Sequence, residues 1–118
     1  MKIYIEANIG AGKSTFLSKL EELYNTNQDI SFISEPVDEW LSMKDDNNTN
    51  ILDLFYKDRQ RWSYTFQMNT FMTRIHKIQR NHKKLSFIER SIYTDKNCFA
   101  SMCHKDNSIN MIEWKLYN

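Results

Sequence analysis

Short apolar runs along this chain alternate with longer stretches in which apolar positions recur every three or four residues. Residues 2–7, with Ile3, Tyr4 and Ile5, predict a first strand. A glycine-bearing turn follows, then a helical pattern that puts Phe16, Leu17, Leu20 and Leu23 on one face. Ile30, Phe32 and their neighbours alternate up to Ser34 and stop at Glu35-Pro36. Proline removes a ladder donor and disfavours helix at the residue before it, so this predicts a second strand that ends at a carboxylate. Met43 to Asn50 is polar and reads as a surface loop.

From about Ile51 to about His82 there is no Gly or Pro, and Tyr64, Met68, Phe71, Ile75 and Ile78 recur at spacings of four, three, four and three. That periodicity predicts a buried helical stripe. Ser63, Gln67, Thr70 and Arg74 repeat the same spacing one position earlier, a polar line about 100° round the helix from the apolar one. Such a line either borders a site or is a plain solvent-facing edge, and spacing alone leaves both open. Leu85 to Ile88 predicts a third strand, ending at the charged pair Glu89-Arg90. Strands alternating with helices, with charges at the strands' C-terminal ends, predict an α/β fold: a parallel sheet flanked by helices, with ligands across those ends. After Phe99 the pattern weakens, and Trp114 to Asn118 reads as the start of another helix, an ending that looks premature.

Composition narrows the functional classes. A chain of 118 residues is expected to form a single domain over 1–118. Hydrophobic residues at 41% and charged residues at 26% are ordinary for a globular protein. Sixteen Lys and Arg against fifteen Asp and Glu leave a charge of +1, which gives no basic field for nucleic acid or a membrane surface and points to small-molecule partners. Cys98 and Cys103 lack the paired spacing of a zinc site and are expected to be structural thiols in a reduced compartment. With no targeting segment and no run long enough to span a bilayer, a cytoplasmic location is expected.

The chemistry begins at Ala7-Asn8-Ile9-Gly10-Ala11-Gly12-Lys13-Ser14, which fits the P-loop pattern G-x-x-x-x-G-K-[ST] except for Ala at the first position. Strand before and helix after are the context that pattern requires. Its amides, from Ala7 through Thr15, are expected to cradle the phosphates of ATP, with Lys13 reaching the β and γ groups and Ser14 on Mg²⁺. Ala7 is expected to tighten or strain the start of the loop. Glu35, just past a strand expected to neighbour the P-loop strand, suits a general base, its alternative being an ordinary turn carboxylate. Glu89 offers a second acid for the metal, and Arg90 a guanidinium for phosphoryl charge, unless the two form a surface ion pair.

Four segments together resemble the deoxynucleoside kinase family that contains deoxycytidine and deoxyguanosine kinases. They are Ile5 to Ile9 leading into the P-loop, Glu35-Pro36-Val37 with Trp40, Arg61 to Gln67, and Glu89-Arg90-Ser91 with Tyr93, Asp95 and Phe99. The resemblance runs in order along the whole chain but over only about the N-terminal half of the family's fold. It implies ATP-dependent phosphorylation of a deoxynucleoside 5′-hydroxyl, with Glu35 as base and Arg90, Lys13 and Mg²⁺ on Ser14 and Glu89 stabilising the phosphoryl group. It further implies that Gln67 pairs with the base edge, that Phe99 stacks on the base, that Trp40 and Leu52 wall the pocket and that Tyr56 binds the sugar 3′-hydroxyl. Arg74 and Asp95 fall where deoxycytidine and deoxyguanosine kinases carry an Arg and an Asp near the base, which implies deoxycytidine or a purine deoxynucleoside over thymidine.

The same resemblance implies that the family's arginine-bearing lid, a later sugar-binding carboxylate, the adenine-contacting loop and the final strand lie beyond Asn118. A rival reading is therefore a catalytically inert remnant that binds nucleotide or pairs with a relative through its long helix. Family members commonly pair through helices, so a homodimer is also expected. A GTPase-like switch or another small-molecule kinase fits the P-loop but leaves Trp62 to Gln67 unexplained.

Overall fold

The computed structural model describes Met1 to Asn118 as two compact units. The first comprises Met1–Glu35 with Ile75–Ser91, and the second Pro36–Arg74 with Ile92–Asn118.

In the first unit, strands β1 (Lys2–Ile5), β2 (Ile30–Ile33) and β3 (Leu85–Glu89) form a parallel sheet in the order β1-β3-β2. The last strand in sequence is thus the middle one, and β2 does not neighbour the P-loop strand as expected; β3 lies between them. Local sequence makes each strand but says nothing about which pair. β3 pairs on both sides, one-to-one with β1 over Ser86 to Glu89 and with β2 over Leu85 to Ile88; against β2, Phe87 stacks on its register partner Phe32 at 5.5 Å and Ser86 shares a 2.7 Å hydroxyl contact with Ser31. Ile88 has no exposed surface and forms a small core with Ile33 and Ile78. β1 ends at Ile5, two residues short of the expected strand.

Helix α1 (Lys13–Tyr24) packs on β3 and β2. Of its expected apolar face, Leu17 is buried and Leu20 half-buried, whereas Phe16 and Leu23 are 52% and 74% exposed.

The second unit is helical. Helix α2 (Val37–Ser42) leads through a loop, closed by an antiparallel bridge between Lys44 and Asn50, into α3 (Ile51–Lys57). Helix α4 (Arg59–Gln79) runs from this unit into the first. The Gly- and Pro-free stretch is therefore not one helix. It breaks at Asp58, whose backbone leaves helical geometry and whose side chain accepts from the Arg61 amide at 3.2 Å, the bond of an N-cap. A helical segment follows in three parts: α5 (Ile92–Thr94), a π-helical stretch (Asp95–Ala100) and α6 (Ser101–Lys105). Helix α7 (Met111–Tyr117) starts at a capping box between Asn110 and Glu113. The core of this unit is aromatic, with Phe66 stacked on Phe55 at 4.8 Å and set edge-on against Trp40 at 5.4 Å. Free Cys103 belongs to that core, whereas Cys98 is exposed and cannot be a packing thiol.

Helix α4 inverts the expected burial. Tyr64, Met68, Phe71 and Ile75 are only half-buried, and of the apolar stripe Ile78 alone is fully covered. The polar line, Ser63, Gln67, Thr70 and Arg74, is buried throughout. Burial of polar groups is costly unless partners or a ligand satisfy them, so this line is the less ordinary half of the helix.

The exposure-free Ile88 at the centre of the sheet makes the first unit sensitive to truncation there. Ile88→Ala is expected to lower unfolding free energy by about 2–5 kcal/mol. A denaturant titration showing no shift in midpoint contradicts that placement.

Candidate functional site

The three strand ends of the first unit converge on one carboxylate. β1 runs into the P-loop, where Gly10 and Gly12 adopt φ values of 79° and 85° that glycine alone takes without strain. Ala7 is not among the left-handed residues, so the departure from the motif introduces no φ strain. Gly12 caps α1, and the helix opens with Lys13 and Ser14. Both reach Glu89 at the end of β3: Lys13 Nζ lies 2.9 Å and Ser14 Oγ 2.7 Å from Glu89 Oε1. The second oxygen of Glu89 accepts from the Glu35 amide at 3.3 Å.

Glu35 carries the network onward. Its Oε1 lies 3.4 Å from Arg90 Nη1, with both side chains largely buried. Arg90 follows β3 in a left-handed conformation, φ 62°, uncommon for a residue with a side chain and typical of sites where geometry is imposed by function. Its amide donates to Ile5 O, which ties that turn to the end of β1. A cavity of about 420 Å³ is lined by Asn8, Gly12, Lys13, Glu35, Glu89 and Arg90, among others. Burial alone would raise the Glu89 carboxyl, but hydrogen bonds from Lys13, Ser14 and the Glu35 amide, with the charge of Lys13, outweigh it and hold the group below its ordinary 4.5.

The second unit holds a different kind of site. Arg74 and Asp95 form a buried two-pronged ion pair, Nε to Oδ2 at 2.6 Å and Nη2 to Oδ1 at 3.2 Å. Asp95 and Phe99 both lie in the π-helical stretch, a feature that recurs at functional positions. On the face of α4 that carries Arg74, Ser63 Oγ, Gln67 Oε1 and Thr70 Oγ1 are buried without a hydrogen-bond partner in the chain. Native interiors leave few such atoms unpaired, and three along one helical line mark a surface that a polar molecule can satisfy.

A sequence model of deoxynucleoside kinases matches residues 3–118. The chain belongs to the deoxynucleoside kinase family. It is 35% identical to human deoxycytidine kinase over 98% of this chain and 51% of that protein. It is 37% identical to a probable deoxycytidine kinase of fowlpox virus, covering 99% of this chain and 46% of that one. With the mitochondrial deoxyguanosine kinase of Xenopus laevis the identity is 35%, over 98% and 49%. The chain thus spans about half the length of these kinases.

Of the positions the kinase resemblance singled out, Lys13, Ser14, Glu35, Glu89 and Arg90 come together in the first unit, and Gln67, Arg74 and Asp95 are buried in the second. Trp40 is in the aromatic core, its Nε1 donating to Thr73 Oγ1 at 3.0 Å, with Leu52 packed against that core. Phe99 is half-buried, and Tyr56 is 71% exposed. The sequence reading set out Ser63 and Thr70 but gave them no role; their spacing with Gln67 and Arg74 was the available signal. Tyr117 had no such signal. Its hydroxyl is buried without a partner, and burial, with the nearby Asp95 charge and despite Arg74, pushes it up to about 12.

Two outcomes follow from these charges. Removing one member of the buried pair with Asp95→Ala is expected to cost about 3–5 kcal/mol in a denaturant titration, because it leaves Arg74 buried without that carboxylate, whereas replacing both residues with apolar ones costs less. The depressed Glu89 carboxyl contributes stability that is present above its ordinary 4.5 and is lost as pH falls through its lower native value. The stability gap between the native chain and Glu89→Gln should therefore narrow as the solution is acidified below 4.5, and a gap independent of pH refutes the assignment.

Proposed function

We propose that this chain carries the phosphate-binding and acceptor-activating residues of an ATP-dependent kinase that phosphorylates the 5′-hydroxyl of a deoxynucleoside. The observation that supports it most directly is the Glu89 network, which fastens the P-loop Lys13 and Ser14 on one side and the Glu35 amide on the other. A P-loop alone indicates a nucleoside triphosphate. A P-loop tied through Glu89 to the Glu35–Arg90 pair supports transfer to an acceptor.

The residues present suit Mg²⁺-ATP. Loop amides and the N-terminus of α1 favour an anion, and no atom lies within 4 Å of the point where a side chain on Gly10 or Gly12 would begin. No cluster of three His, Cys, Asp or Glu side chains is present, so a divalent ion relies on Ser14, Glu89 and phosphate oxygens, the sparse ligation that Mg²⁺ accepts. Bound Mg²⁺-ATP supplies the γ-phosphoryl group and neutralises charge on its oxygens.

In this reading Lys13 would turn from Glu89 to phosphate oxygens, and Ser14 and Glu89 would hold the metal. Glu35 takes the proton of the 5′-hydroxyl as that oxygen bonds to the γ-phosphorus and the bridge to the β-phosphate breaks, with ADP leaving. Arg90 fixes Glu35 and offsets phosphoryl charge. On the nucleoside side, Gln67, with an unsatisfied carbonyl and an amide that can both donate and accept, reads the base edge. Phe99 stacks on the base, Trp40 and Leu52 supply apolar wall, and exposed Tyr56 is available to the sugar 3′-hydroxyl. The buried Arg74–Asp95 pair presents polar atoms where a thymine methyl would be unwelcome, which favours deoxycytidine or a purine deoxynucleoside. Similarity to proteins named deoxycytidine and deoxyguanosine kinases supports the same preference. No helix is long and apolar enough to cross a membrane, and a cytoplasmic salvage role accords with that. A homodimer remains part of the proposal on family resemblance alone.

A second reading, a chain that binds nucleotide without turnover, needs only the phosphate cradle with Lys13 and Ser14 and none of the acceptor residues.

Phosphoryl transfer from labelled ATP to deoxycytidine, deoxyguanosine and thymidine separates the two. The kinase reading expects turnover with thymidine slowest, and a fall of about 100-fold or more in both Lys13→Ala and Glu35→Gln. Turnover that survives Glu35→Gln removes the base assignment. Binding of ATP with no turnover establishes the second reading.

A further inference from the structure

Glu35 stands on a turn that is held at three points. β2 stops at Ile33, opposite Ile88, and the ladder to β3 does not continue through Ser34 and Glu35. The backbone groups released from the sheet there find side chains instead. The Glu35 amide donates to Glu89 Oε2 at 3.3 Å. The Ser34 carbonyl accepts from Lys77 Nζ at 2.9 Å, and Ser34 Oγ accepts from the same ammonium at 3.1 Å. On the other side, Pro36 restricts the conformations open to Glu35.

Lys77 is not among the positions that the kinase resemblance singled out, and its setting is not that of a solvated surface lysine. It is half-buried in the last turn of α4, beside Ile78, which forms the small core with Ile33 and Ile88. Its own carbonyl accepts from Asn81 Nδ2 at 2.8 Å, which satisfies a group that a helix end otherwise leaves open. Ordering a long lysine stem costs rotamer freedom, and here one ammonium meets two oxygens of a single residue in return. The carboxylate of Glu35 meets Arg90 at 3.4 Å, long for a charge-assisted bond, so its placement depends also on the backbone that carries it. A general base works only within hydrogen-bond reach of its proton, and a misplacement of about 1 Å can cost about 100-fold in rate.

We propose that Lys77 is a positioning residue: its ammonium, holding both oxygens of Ser34, fixes the turn after β2 and so aims the Glu35 carboxylate at the acceptor hydroxyl. Lys77 touches neither nucleotide nor nucleoside and acts through Ser34. That the group it aims is a general base rests on the kinase reading; the anchoring of the turn does not.

The test compares the isotope-labelled 118-residue chain with its Lys77→Ala and Lys77→Arg variants by nuclear magnetic resonance. Alanine is the best helix former, so Lys77→Ala leaves α4 intact, and arginine keeps N–H donors at a similar reach. In Lys77→Ala, amide exchange at Glu35 should quicken by about tenfold or more and the Glu35 carboxyl carbon resonance should move, while exchange at Phe87 and Ile88 in β3 stays as it was. Lys77→Arg should restore both signals. In the phosphoryl-transfer assay, Lys77→Ala should lower kcat by about tenfold with the KM for ATP unchanged, because the phosphate cradle is untouched, and Lys77→Arg should recover the rate. Unmoved Glu35 signals in Lys77→Ala, quickening shared by Phe87 and Ile88, a kcat that Lys77→Ala leaves unaltered, or no recovery in Lys77→Arg each overturns the proposal. A native chain that binds ATP without turnover removes the kinase reading instead, and the Glu35 signals then decide whether Lys77 holds the turn.

Discussion

The first unit is organised around the carboxylate of Glu89. A carboxylate buried at the end of a central strand must be paired or protonated, and here three donors from two segments pair it: Lys13 and Ser14 at the start of α1, and the Glu35 amide after β2. The interaction therefore sets the P-loop helix, the end of β2 and the end of β3 against one another. It also keeps the Lys13 ammonium and Ser14 hydroxyl aimed at a carboxylate, the anion that phosphate oxygens replace in the proposed reading.

The second unit solves a different problem, a polar line buried beside an aromatic core. Arg74 is satisfied by Asp95, a partner from another helical segment, while Ser63, Gln67 and Thr70 depend on whatever lies against them. Leaving hydroxyls and an amide carbonyl unpaired costs stability that an apolar face would not, and such a cost persists where a bound molecule recovers it.

Much of this was legible from residue order. The strands, the P-loop and the carboxylates at the strand ends are local signals, carried by alternation, by Gly-x-Gly-Lys-Ser and by the proline after Glu35. Strand order was not, because nothing in Leu85 to Ile88 says that it inserts between the other two. The burial of α4 was legible in period and wrong in phase: Ser63 and Tyr64 are adjacent and both lines keep helical spacing, so only tertiary packing decides which turns inward. Asp58, four residues ahead of Trp62, carried a readable capping signal that the absence of Gly and Pro obscured. The Arg74–Asp95 pair was expected near a base from resemblance, but its two-pronged geometry depends on how the two helical segments pack.

The π-helical stretch sets a limit on how the length of this chain can vary. Its backbone bonds reach five residues back, as from Ser101 N to Lys96 O, so the stretch holds an extra residue relative to an α-helix. Deleting one residue between Asp95 and Ala100 would let the segment relax to an ordinary helix and turn everything on one side of the deletion by about 100° relative to the other. Asp95 faces Arg74 and Cys103 faces the aromatic core only while that residue is present. Point changes in this stretch alter contacts one at a time, whereas a one-residue deletion trades the ion pair against the core.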